Sequence, residues 1–181
     1  MPDLPDSRLP IAGSINKRLF LTGMPGAGKT YWGNQLSRAF NWNFIDLDNY
    51  ISLKEKASIS ALFASYGEKG FRDREQKYLS DIINGVDLPL VIACGGGTPC
   101  FFNNMEVMKK NGIVLYLDLP IDDLVKRLNS SVEVRPMLKG RGDLPAYLTR
   151  MHKERKTFYE QAHHILQPEF ISITTFEKII K

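Results

Sequence analysis

Residues 23–30 read GMPGAGKT and match G-x-x-x-x-G-K-[ST] without exception. The glycines let backbone N–H groups turn inward to meet phosphate oxygens, and the start of a helix adds further donors. Such a cradle therefore needs a strand before it and a helix after it. Both are legible. Residues 18–22 (RLFLT) form a short apolar run that reads as a buried strand, and residues 29–40 carry apolar and aromatic side chains at helical spacing. The residues expected to contact a nucleoside triphosphate are Gly26, Ala27, Gly28, Lys29, Thr30 and Tyr31. Lys29 supplies a point charge for the β- and γ-phosphates, and Thr30 offers a hydroxyl to Mg²⁺. The motif specifies a nucleotide and leaves the phosphate acceptor open.

The remaining pattern extends the alternation. A strand is predicted over 43–47 (NFIDL), then a helix over 48–66 with breaks at Gly67 and Gly70, and a helix over 73–84. A strand over 88–94 (LPLVIAC) runs into Gly95, Gly96 and Gly97. A helix over 103–111 is stopped by Gly112, and a strand (113–118) and a helix (120–128) follow. Residues 130–145 are polar, with Pro136, Gly140, Gly142 and Pro145, and read as a mobile lid. A helix over 146–162, a short fifth strand over 165–166 and a terminal helix over 176–181 complete the chain. Alternating strands and helices predict an α/β fold, a three-layer αβα sandwich around a five-stranded parallel sheet. Residues 17–181 are expected to form one domain, preceded by a flexible leader over 1–16 that carries Pro2, Pro5 and Pro10. Ligands of such sheets bind at the carboxyl ends of the strands.

Composition excludes several classes. Net charge is +4, from 24 basic and 20 acidic residues, milder than the dense basic stripe of a nucleic-acid binder. The excess suits anionic small molecules instead. No apolar run approaches the roughly 20 residues of a membrane span, and the first residues lack a signal-peptide pattern, so a cytoplasmic protein is expected. The chain is expected to act as a monomer. Its two cysteines, Cys94 and Cys100, lack C-x-x-C spacing and a histidine pair, so they read as a buried and a half-buried thiol.

Four features bear on the acceptor. Asp46 and Asp48 lie two apart, which on a strand points both carboxylates to one side. There they can hold Mg²⁺ through water and accept a hydrogen bond from a substrate hydroxyl. No aspartate ends the strand before the glycines, so Asp46 is the natural carboxylate for the metal. In GFRDRE (70–75), Arg72 has Glu75 one helical turn beyond it, and an arginine held by a carboxylate can bind a substrate carboxylate. An exposed charged helix start fits that segment equally. Gly95, Gly96 and Gly97 let a ligand approach the backbone closely. Finally, Arg127, Arg135, Lys139, Arg141, Arg150 and Arg155 form a basic run in and around the lid, suited to the charge that develops in phosphoryl transfer.

In order, these marks resemble the shikimate kinase family: GMPGAGKT, Asp46-Leu47-Asp48, Phe71-Arg72-Asp73-Arg74-Glu75, Gly95-Gly96-Gly97, Arg135-Pro136-Met137-Leu138, and Arg155 with Tyr159. The resemblance runs from about residue 17 to residue 159. It implies transfer of phosphate from ATP to the 3-hydroxyl of shikimate, with Mg²⁺, on the way to chorismate and aromatic amino acids. It further implies that Asp48 meets the acceptor hydroxyls and that Asp46 lies near the metal. Arg72 and Arg155 would clamp the carboxylate beside the glycines, Arg135 would reach the transferred phosphate, and Arg127 would stack on adenine. The rival readings are another small-metabolite kinase of the same fold, for gluconate or a nucleoside monophosphate, and a non-catalytic nucleotide-binding relative. Such a relative is expected to lose the lysine, the aspartate or the lid arginines, and Lys29, Asp48 and Arg135 are all present.

Overall fold

The computed structural model describes residues 18–130 and 143–180. The leader read over 1–16, most of the lid segment and Arg135 lie outside the described residues. Five strands, β1 (Arg18–Thr22), β2 (Asn43–Asp46), β3 (Leu90–Ala93), β4 (Ile113–Leu117) and β5 (His164–Leu166), form one sheet in the order β2-β3-β1-β4-β5. Every neighbouring pair is parallel. Parallel neighbours require crossovers, here supplied by helices α1 (Lys29–Phe40), α2 (Leu47–Glu55), α3 (Ile59–Gly85), α4 (Asn104–Asn111), α5 (Ile121–Ser130) and α6 (Leu144–Tyr159), while α7 (Ile173–Ile180) follows the last strand. The predicted five-stranded parallel α/β fold is what the chain adopts.

Alternation along β1 builds both halves of the core. Leu19 and Leu21 pack on one face with Leu36 and Phe176, while Phe20 packs on the other with Leu79 and Ile82. All three β1 side chains are fully buried, each contributing about 1.5–3 kcal/mol relative to exposure. Below them, buried Arg18 donates from Nη2 to the carbonyls of Ile83 and Val86, both at 2.8 Å. That contact ties the start of the central strand to the end of α3. Among the described residues no helix is long and apolar enough to cross a membrane.

Three local expectations change. The second strand stops at Asp46 rather than at 47, because the Asp46 side chain caps α2, accepting from the Asn49 N–H at 3.2 Å. Asp48 therefore sits in the first turn of α2, and the alternation argument for pairing it with Asp46 does not apply. The helix expected over 48–66 is two helices. Lys56 in the left-handed region (φ 53°) ends α2, and the Ser58 hydroxyl caps α3 by accepting from the Ala61 N–H at 3.2 Å. Of the two expected breaks only Gly67 is real: its φ of 64° and ψ of −175° kink α3, a conformation open essentially to glycine alone. Gly70 continues the helix, pressed so close to Tyr66 that a Cβ would lie 2.6 Å from that residue's own.

Candidate active site

The chain leaves the central strand β1, turns through residues 23–28 and enters α1 at Lys29. Gly28 stands at the N-cap of α1 and, having no side chain, supplies no side-chain cap to its first turn. The loop closes on itself through Ala27 N–H to the Met24 carbonyl (3.1 Å). Lys29 is buried, and its Nζ donates to the carbonyls of Gly23 and Met24 at 2.9 and 3.0 Å. The ammonium is thus fixed inside the cradle. Arg127 reaches the same loop from α5, with Nη1 3.4 Å from the Ala27 carbonyl. Tyr31 is exposed and stands edge-on to Trp32, ring centroids 5.4 Å apart.

Across from the loop, the Thr30 hydroxyl donates to Asp46 Oδ2 at 2.6 Å. The first turn of α1 and the end of β2 thereby present one hydroxyl and one carboxylate to the same point. Hard oxygen donors of this kind suit Mg²⁺, which takes few protein ligands and draws the rest from phosphates and water. Among the described residues no group of three or more His, Cys, Asp or Glu side chains could hold a metal by itself.

The other half of the site is organised around Gly95, Gly96 and Gly97, which follow β3. Each glycine faces a different charged group. A Cβ on Gly95 would lie 2.8 Å from Asp48 Oδ1 and equally close to Glu75 Oε1. One on Gly96 would lie 3.2 Å from Arg155 Nη1 and 3.3 Å from Pro25 of the phosphate loop. One on Gly97 would strike the Arg72 guanidinium, with Cζ at 2.6 Å. Asp48, Arg155 and Arg72 come from α2, α6 and α3, so three separate helices converge on a turn that has no side chains of its own. Alanine at any of the three would crowd the groups that the turn gathers.

Arg72 and Glu75 are both buried, with Nη1 to Oε2 at 2.7 Å. The Arg72 guanidinium lies over the Phe101 ring, 4.3 Å from its centroid, and its Nη2 is 3.4 Å from exposed Glu68. One guanidinium nitrogen is held tightly and the other loosely. The Cys100 thiol reports both arginines: burial pushes it up to about 11, while the charges of Arg155 and Arg72 pull the other way. Cys94 is buried and its thiol is pushed up by desolvation; both cysteines are free.

Two buried hydroxyls at this turn have no counterpart among the expected site residues. Thr98 donates from Oγ1 to Glu75 Oε1 at 2.5 Å, and Tyr159 donates to the Gly96 carbonyl at 2.6 Å. Tyr159 is fully buried, stacked on Tyr116 at 4.9 Å, and burial raises its phenol. The spacing of Arg155 and Tyr159, one turn apart on α6, was the available signal for the second contact. The first joins residues 23 positions apart and leaves no periodic trace. Arg135 falls in the segment outside the described residues.

A glycine cradle at the end of the central strand of a parallel sheet, with oxygen donors for a metal and gathered cations beyond it, defines a P-loop phosphotransferase. Comparison with known proteins narrows the class. The family model described as Shikimate kinase matches residues 25–181. A shikimate kinase of Parabacteroides distasonis is 40% identical over 148 residues, which cover 81% of this chain and 84% of that protein. The crystal structure of shikimate kinase from Bacteroides thetaiotaomicron superposes with a TM-score of 0.82 at 35% identity, covering 91% of this chain and 94% of that one. The enzyme of Acinetobacter baumannii in complex with shikimate gives 0.77 at 31% identity, covering 91% and 88%. The chain belongs to the shikimate kinase family.

Proposed function

We propose that this chain transfers the γ-phosphoryl group of ATP to the 3-hydroxyl of shikimate, releasing ADP and shikimate 3-phosphate. The observation that carries the choice of acceptor is the glycine turn, where Asp48, Arg155 and Arg72 each border one of three successive glycines. An acceptor with hydroxyls at one end and a carboxylate at the other matches that division of charge. Arg72 and Arg155 bind the carboxylate, and the rigid pairing of Arg72 with Glu75 limits the entropy lost on binding. Asp48 orients the hydroxyl. The loose transition state of phosphoryl transfer asks mainly for alignment of that hydroxyl.

On the nucleotide side, Gly26, Ala27, Gly28 and Tyr31 line the phosphates and Lys29 neutralises their charge, moving from the loop carbonyls it now contacts. Arg127 lies against the adenine side. Thr30 and Asp46 would hold Mg²⁺, which supplies charge neutralisation between the β- and γ-phosphates. Arg135 stabilises the transferred group. The enzyme is proposed to act as a monomer.

The test is ADP release from Mg·ATP followed with shikimate, gluconate, AMP or no acceptor. Release that depends on shikimate is expected. Turnover with gluconate or AMP alone would discard the acceptor assignment while keeping a P-loop kinase. Silence with every acceptor would favour a non-catalytic nucleotide-binding relative.

A further inference from the structure

A glutamate carboxylate is poorly fixed by its own torsion. The last side-chain angle joins an sp³ to an sp² carbon, and its wells are broad. Glu75 nevertheless presents one oxygen to Arg72 at 2.7 Å, and its other oxygen accepts from Thr98 at 2.5 Å. Glu75 and Thr98 are both fully buried, and these are the carboxylate's two hydrogen bonds among the described residues. Hydroxyl-to-carboxylate bonds of this length are charge-assisted and directional.

Thr98 is itself anchored. It opens a short 3₁₀ turn (Thr98–Cys100) directly after the three glycines. Its N–H donates to the Gly95 carbonyl at 3.1 Å, and its carbonyl accepts from Asn104 Nδ2 at 3.0 Å. Asn104 is buried at the start of α4. A rigid path of hydrogen bonds thus runs from α4 through Thr98 and Glu75 to the Arg72 guanidinium.

We infer that Thr98 is a positioning residue for the acceptor site, fixing the plane of the Glu75 carboxylate and through it the orientation of Arg72. This rests on the reading of Arg72 as a carboxylate ligand of shikimate. Valine at this position keeps the shape and removes the donor, leaving Glu75 free to turn about its last bond. Serine keeps the donor and removes a methyl group.

Purified Thr98→Val, Thr98→Ser and Arg72→Ala enzymes separate the possibilities. The readouts are shikimate affinity by titration calorimetry without nucleotide, KM for shikimate and for ATP, and thermal midpoint. Thr98→Val is expected to weaken shikimate binding roughly tenfold, equivalent to about 1.4 kcal/mol, with the KM for ATP unchanged. Thr98→Ser is expected to restore binding. Wild-type affinity in Thr98→Val beside a weakened Arg72→Ala overturns the inference and leaves the clamp standing. Wild-type affinity in Arg72→Ala overturns both. Failure of serine to rescue, or parallel loss of both substrates with a lowered midpoint, assigns Thr98 to packing and also overturns it.

Discussion

Arg72 donates to Glu75 from one helical turn away, Nη1 to Oε2 at 2.7 Å, and the two side chains are 6% and 0% exposed. Removing the carboxylate strands a guanidinium away from water. Breaking a buried pair by deleting one partner typically costs about 3–5 kcal/mol. Glu75→Ala is therefore expected to lower the denaturation midpoint sharply and to raise the KM for shikimate. Glu75→Gln, which keeps acceptor capacity, should show a smaller loss in both. A variant of wild-type stability would remove the pair from the account of the fold.

Asp46 serves two ends at once, accepting from Thr30 at 2.6 Å and capping α2 through Asn49 N–H at 3.2 Å. Asparagine caps helices about as well as aspartate, yet it is a poorer ligand of Mg²⁺. Asp46→Asn should unfold within a few tenths of a kcal/mol of wild type and lose about 10- to 100-fold in activity at limiting Mg²⁺. Chemical denaturation together with a magnesium titration of the rate decides it. Equal loss of stability and activity would point to the cap alone.

Gly97→Ala drives a methyl group into the Arg72 guanidinium, whose position is already fixed by Glu75. Overpacking of this kind costs about 1–3 kcal/mol, and here it also displaces a proposed substrate ligand. Shikimate KM is expected to rise with a fall in Tm. Gly85→Ala is the internal contrast, since nothing lies within 4 Å of a Cβ there. It should leave the kinetics alone and stabilise by about 0.4–1 kcal/mol.

The folded chain holds several protons more tightly than the unfolded one. Burial raises the Tyr78 phenol to about 12 from an ordinary 10.0, helped by its bond to Glu55, and burial also raises Tyr116, Tyr159 and Cys94. On raising the pH, the unfolded chain loses these protons first. Stability is thus fully present below the unfolded values and falls once pH passes about 9 to 10, by up to about 1.4 kcal/mol per pH unit for each group. Denaturant midpoints between about pH 8 and pH 11 should decline, with a shallower slope in Tyr116→Phe. A flat profile would contradict the burial of these groups.

What the sequence disclosed follows from what is local. The strand and helix that flank the phosphate loop fall at Arg18–Thr22 and Lys29–Phe40, the bounds expected, because the motif fixes where one must end and the other begin. Two-residue alternation would bring Asp48 to the site along a strand, whereas it reaches the glycine turn from the first turn of a helix. The junction between α2 and α3 carries no glycine or proline; a lysine in the left-handed region makes it, and only Ser58 signalled the restart. The contact of Thr98 with Glu75 leaves no trace in the sequence, since it joins residues 23 positions apart; that of Tyr159 with Gly96 spans 63 positions and is signalled only by the helical spacing of Tyr159 from Arg155. Such pairs are brought together by the topology of the sheet.

Pro25 of the phosphate loop would sit 3.3 Å from a side chain on Gly96, whose carbonyl Tyr159 holds at 2.6 Å. On the proposed assignment, the nucleotide side and the acceptor side therefore meet where Pro25 borders Gly96. A ligand that shifts that contact from one side is felt on the other. The effect is reciprocal by thermodynamic necessity: the factor by which nucleotide alters shikimate affinity is the factor by which shikimate alters nucleotide affinity.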